Sequence, residues 1–201
     1  LGLTYGLGHK LGADPECLII STNSQTSSSD TTKYVVENGL KIPSVFGAGL
    51  VWNHKDQLKL GLDYQLQKWG DVSFPQYQQH ENGASYQPVA NLFSDRHKLI
   101  FGGEYCNNER SRKFFNRIHY RAGVSYASAY QKINGYDGPK ELSVSAGFGI
   151  PIINTYNNRS MLNISAQWVN MSADRFVKEN TFRINIGFTF NERWFAKFKV
   201  E

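Results

Sequence analysis

The acidic side chains Asp63, Glu104 and Glu141 and the histidines His9, His54, His80, His97 and His119 are the groups here with the most chemical potential. A general acid–base pair needs two such groups converging at a fixed separation, and these stand far apart along the chain. The histidines are equally scattered and lack metal-ligand spacing. Cys17 and Cys106 are isolated, with no CxxC. No GxSxG, P-loop or HExxH is present. Gly6-Leu7-Gly8-His9-Lys10-Leu11-Gly12 is glycine-rich but lacks the GxGxxG order and reads as strand. Asn158, Asn163 and Asn170 each open a glycosylation sequon, which means little in an Asn- and Ser-rich chain. The expectation is therefore no catalytic residue, no metal and no cofactor: the chain does not read as an enzyme.

The elements that carry these groups are written in twos. In Leu58-Lys59-Leu60-Gly61-Leu62-Asp63-Tyr64-Gln65-Leu66-Gln67 every even position is apolar and every odd one is polar or Gly. The same beat runs through Ile118 to Tyr126, Leu142 to Ile150, Leu162 to Trp168 and Phe182 to Phe190. Period two marks a β-strand with two unlike faces. The apolar faces of these strands carry no charge. The other faces hold Lys59, Asp63, Gln65, Arg121, Gln167 and Arg183, and Glu104 falls on the same face of its own strand. Strands of about ten residues, apolar outside and polar inside, suit a transmembrane barrel, and these seven residues are the candidates for its lumen. A soluble β-sandwich also alternates, with its polar face in water. Gly61, Gly123, Gly147 and Gly187 on the polar face favour the barrel, because a water-facing strand gains nothing from losing a side chain.

The 201 residues include 11 Tyr, 13 Phe and 18 Gly, which favours strands over helices. Mean hydropathy is −0.46, and no run approaches the ~20 apolar residues of a spanning helix. The net charge is +5. The dense basic run, Arg110 to Arg117, lies between two strands and suits a solvated tip or a headgroup contact. No nucleic-acid motif is present, so no nucleic-acid partner is expected.

Eight strands are expected, at 1–11, 33–53, 57–70, 96–106, 116–128, 139–151, 160–170 and 179–190. Pro43 cannot donate to a ladder and marks a kink or bulge in the second. Long polar links at 12–32 and 71–95 alternate with shorter links at 54–56 and 107–115. Outer-membrane barrels place long loops outside the cell and short turns in the periplasm. Cys17 and Cys106 then fall at opposite ends and stay unpaired. Residues 1–190 read as barrel, and 191–201 as a periplasmic C-terminal tail. Because Leu1 to Tyr5 already reads as strand, a piece of a longer protein is expected.

Residues Ile42-Pro43-Ser44-Val45-Phe46-Gly47-Ala48-Gly49-Leu50-Val51-Trp52, then Leu58 to Tyr64 and Lys68 to Phe74, resemble a stretch of the FadL-type long-chain fatty-acid transporter family. Arg96 to Tyr105, Tyr120 to Tyr126 and Leu142 to Gly149 follow in that family's order. The ending Phe188 to Phe195 is similar to a tail common in outer-membrane proteins of Bacteroides-like bacteria. The resemblance implies the last eight strands of a fourteen-stranded antiparallel outer-membrane barrel, whose lumen a plugging hatch would fill. It implies passive uptake of long-chain fatty acids or other hydrophobic molecules, with lateral exit into the bilayer through a kinked wall strand. No ligand-binding residue carries over. Some members of that family in Bacteroides-like bacteria serve instead as accessory barrels of secretion or assembly machines, which is the alternative. The partners implied are outer-membrane lipid, hydrophobic small molecules and other outer-membrane subunits.

Overall fold

The computed structural model describes residues 1–80, 83–153, 159–176 and 178–190. Eight strands run through it: β1 (Gly2–Gly6), β2 (Val45–His54), β3 (Leu58–Gln67), β4 (Arg96–Tyr105), β5 (His119–Ala127), β6 (Lys140–Ile153), β7 (Arg159–Ser172) and β8 (Glu179–Thr189). They form one sheet in chain order, each antiparallel to the next. β1 and β8 are its two edges.

Register carries the two-faced pattern across the whole sheet. Leu62 pairs with Leu50 on one side and Phe101 on the other. Phe101 pairs with Val124, Val124 with Val144, Val144 with Trp168, and Trp168 with Phe182. Directly opposed residues point the same way, so the apolar positions share one continuous face. Among the described residues no large side chain is fully buried, and the few buried apolar residues include Val72, Ile118 and Val169. Leu50, Phe101 and Phe148 are each about half exposed (53%, 47% and 51%). A sandwich would cover this face with a second sheet. Its exposure along the strands is that of a single-layer barrel wall.

Two boundaries differ from the sequence reading. The strand expected over 33–53 starts at Val45, and the one expected over 1–11 ends at Gly6. Short pieces, His9–Lys10 and Lys41–Ile42, continue the ladder beyond the break. Gly6 pairs with Val45 before it and His9 with Ile42 after it, so register is kept and no bulge residue is inserted. At the break Pro43 has no N–H to give, and Gly8 N donates to Ser44 Oγ at 3.1 Å instead. A Cβ on Gly8 would stand 2.6 Å from Ser44 N, so only glycine admits this approach.

The long links are also more ordered than their composition suggests. Glu16–Asn23 pairs with Ser28–Val35, and Phe74–His80 with Gly83–Val89. Tyr34 meets Tyr77 at 6.3 Å between the two hairpins. At the opposite end, Lys55 and Asp56 take φ of 53° and 54° in a tight turn between β2 and β3. The Asn53 side chain closes it, donating from Nδ2 to Asp56 Oδ1 at 2.6 Å. Cys17 sits in the first hairpin and Cys106 just after β4; both are free.

Candidate functional site

Lys59, Glu104 and Arg121 are distant in sequence and opposite one another in register, on β3, β4 and β5. Glu104 is the centre. Arg121 Nε donates to Glu104 Oε2 at 2.6 Å, and Lys59 Nζ lies 3.5 Å from Oε1. His119 Nδ1 is 3.3 Å from the same Oε1, within ion-pair reach but without hydrogen-bond alignment. His119 is buried, and its Nε2 is 3.4 Å from Glu109 Oε1 in the link that follows β4. Arg121 reaches further, across β6 to β7. Its Nη1 donates to Asn163 Oδ1 at 2.7 Å, and its Nη2 lies 3.6 Å from Met161 Sδ.

Glycine makes that reach possible. Arg121 pairs with Gly147, and His119 with Gly149. A Cβ on Gly149 would lie 3.0 Å from Met161 Sδ and 3.2 Å from Asn163 Oδ1, inside the space the clamp occupies. The polar-face glycines of β6 are thus the floor over which a long cation crosses a strand. The result is a clamp in which one anion is shared by two cations, Arg121 and Lys59, and side chains of four strands (β3, β4, β5, β7) are tied together. Among the described residues no group of His, Cys, Asp or Glu could hold a metal ion.

The other sequence candidates lie apart from this clamp. Asp63 lies over Gly49, opposite Ile100. Gln65 accepts from Gln67 Nε2 at 3.3 Å, and Gln67 Oε1 accepts from Trp69 Nε1 at 2.9 Å. Gln167 donates to Ser143 Oγ at 3.2 Å, and Ser143 meets Ser125 Oγ at 3.1 Å. Arg183 pairs with Gln167 in register, on the edge strand. Pro43 is buried at the ladder break. The expected tail, 191–201, lies outside the described residues.

Sequence reasoning did not single out His119, Asn163 or Met161 for the clamp. Their parity put them on the polar face, but only register shows what they touch. It also missed a second cluster at the long-loop end. There Lys68 Nζ donates to Asp95 Oδ2 at 2.5 Å, and Gly70 N to Asp95 Oδ1 at 3.0 Å. That hydrogen bond from Lys68 holds the Asp95 carboxyl below the usual range and raises the Lys68 ammonium above its own. Trp69 packs against Phe93 and Tyr130 at 5.6 and 5.1 Å, and Arg96 lies 5.4 Å over the Tyr130 ring. Beside the clamp, burial pushes the Cys106 thiol up, which lowers its thiolate fraction.

No curated protein matches this chain. Among solved structures it is similar to the CymD monoaromatic hydrocarbon channel, at 17% identity and a TM-score of 0.58. The match covers 94% of this chain and 47% of that one, so the chain spans about half the channel's length. At that identity the likeness is one of fold: a barrel wall. The BamG family model matches residues 7–201. With a match over nearly its whole length and a single-layer wall that is apolar on one face, the chain belongs to the BamG family of outer-membrane β-barrels.

Proposed function

We propose that this barrel is a structural, accessory member of an outer-membrane assembly. The observation that carries the reading is the clamp. We take the polar face to line the lumen, with Lys59, Asp63, Gln65, Glu104, Arg121, Gln167 and Arg183 upon it. The charges at its centre are committed to one another: Glu104 to Arg121 and Lys59, and Arg121 to Asn163. Groups already paired across four strands stiffen a wall and leave little apolar lining for a greasy molecule. The match to BamG fits an accessory role. The same reading puts the hairpin-bearing loops outside the cell and the end of β8 in the periplasm, in line with the usual asymmetry of loop lengths.

A second reading is passive passage of hydrophobic molecules, of FadL type. The ladder break at Pro43 and the likeness to a hydrocarbon channel favour it. The two readings part in one experiment. Native protein is drawn from outer membranes in mild detergent, and a deletion strain is assayed for uptake of fatty acids and monoaromatics. A stable complex with other outer-membrane proteins and unchanged uptake supports the accessory role. A lone barrel whose loss lowers uptake overturns it.

A further inference from the structure

The outward, apolar face carries a trough of about 440 Å³ across β3 to β6. Its floor is one register row of small residues, Gly103, Ala122 and Ala146, continued at one end by Leu60. Phe101 stands on the row toward the long-loop end. Tyr105, Tyr120 and Phe148 form the row toward the short-turn end. In a membrane barrel such a face meets hydrocarbon, and the volume lies within the range of about 300–1,000 Å³ typical of ligand sites.

The trough's short-turn end meets the link between β4 and β5, and that link is basic. It carries Arg110, Arg112, Lys113 and Arg117 against Glu109 as its acid. Its short helix α1 (Phe114–Arg117) is held to the outer side, because outward-facing Tyr120 donates from its hydroxyl to Phe115 O at 3.3 Å. Phe114 and Phe115 are exposed there at 47% and 73%, as aromatics at a membrane boundary are. Glu109 Oε1 lies 3.4 Å from His119 Nε2, on the polar face. Arg117 Nε is buried without a hydrogen-bond partner.

We propose that the trough and its basic lip form a binding site for an anionic glycerophospholipid. An acyl chain lies along the Gly103-Ala122-Ala146 floor, Tyr105 and Tyr120 sit at the level of the ester groups, and the phosphate meets the cations of the link. Charge complementarity selects this occupant: an apolar trough alone would take any chain, whereas one whose end adjoins a link rich in Arg and Lys favours a chain bearing a phosphate anion. The site is independent of whether the barrel transports or assembles.

The test is native mass spectrometry of the full-length protein in mild detergent, titrated with dioleoyl-phosphatidylglycerol and separately with dioleoyl-phosphatidylcholine. Phosphatidylglycerol is expected to bind at least about tenfold more tightly. The triple variant Arg110→Gln, Arg112→Gln, Lys113→Gln leaves every strand untouched and should bring the two lipids to parity. The pair Ala122→Leu, Ala146→Leu should lower binding of both by filling the floor. Equal binding of the two lipids by the wild type, or a preference that survives the triple variant, overturns the proposal. So does a photo-crosslinker at position 122 that labels protein rather than lipid in native membranes.

Discussion

Gly147 is a polar-face position where a side chain would meet backbone. A Cβ there would stand 2.7 Å from Ser165 Cβ and 2.8 Å from the Ile164 carbonyl, and backbone cannot step aside cheaply. Gly147→Val should therefore destabilise the sheet by about 1–3 kcal/mol, the usual cost of overpacking. Gly187→Ala meets nothing within 4 Å and should stay within about 0.5 kcal/mol of wild type. The temperature at which the folded band disappears on semi-native gels ranks the two, and equal losses would contradict the crossing-floor argument. Arg121→Met removes the Glu104 carboxylate's best partner and leaves Asn163 Oδ1 without its 2.7 Å donor. The expected cost is about 1–3 kcal/mol. Adding Glu104→Met removes the stranded anion, so the double variant should lose less than the sum of the singles. Strict additivity would mean that the pair does not couple. At the long-loop end, Asp95 and Lys68 make a pH prediction with two limbs. A lowered carboxyl stabilises above its unfolded value of about 3.9 and stops doing so as pH falls through the folded value beneath it. A raised ammonium stabilises below about 10.4 and is lost as pH climbs through the higher folded value. Protection of the Gly70 amide, corrected for intrinsic exchange, should then be flat across neutral pH and fall at the acid end. In Asp95→Asn the acid limb should vanish.

At the scale of elements, parity is the testable claim. Leu62 and Asp63 are neighbours on β3, and register sends them to opposite faces. A cysteine at 63 should react with a water-soluble maleimide in intact membranes, and one at 62 should not. The reversed pattern would place charges such as Lys59 in hydrocarbon, at about 2–4 kcal/mol for a midplane Lys. This parity is legible in the residues alone, because half-buried strands announce themselves by apolar positions two apart. The hairpins in the long links are not legible for the same reason. Ser28-Ser29-Asp30-Thr31-Thr32-Lys33 has no apolar face to reveal a strand, and all six residues are exposed. The clamp is half legible. Parity puts Lys59, Glu104 and Arg121 on one face, but their meeting depends on register, which short turns and distant pairings set together. The link of Arg121 to Asn163 is hidden further, because it requires a side chain to cross an intervening strand over glycine.

For the whole molecule, the physical constraint is the medium. A one-layer sheet with few buried apolar side chains among the described residues has little core of its own, so its stability must come from ladders and from lipid against its apolar face. Backbone groups on β1 and β8 cannot face hydrocarbon unpaired, so both edges require a pairing strand in the membrane. Against that requirement the break at Pro43 is an expense within the wall itself, and it either serves passage or shapes the sheet. The geometry bears on the choice. Pairing resumes in the same register beyond Pro43, and Gly8 N is satisfied by Ser44 Oγ, so the two flanks stay drawn together rather than parted. A gap wide enough for a lipid-like molecule would need those flanks to separate. Pro43→Ala restores a donor and leaves the register free to continue, so it should keep or slightly raise the unfolding temperature on semi-native gels. With the accessory role, uptake of labelled fatty acids and survival of the outer-membrane complex should both match wild type. A fall in uptake with the complex intact would make the break an exit and return the barrel to transport. Loss of the complex with the barrel still folded would show instead that the bend at Pro43 sets the shape a partner recognises.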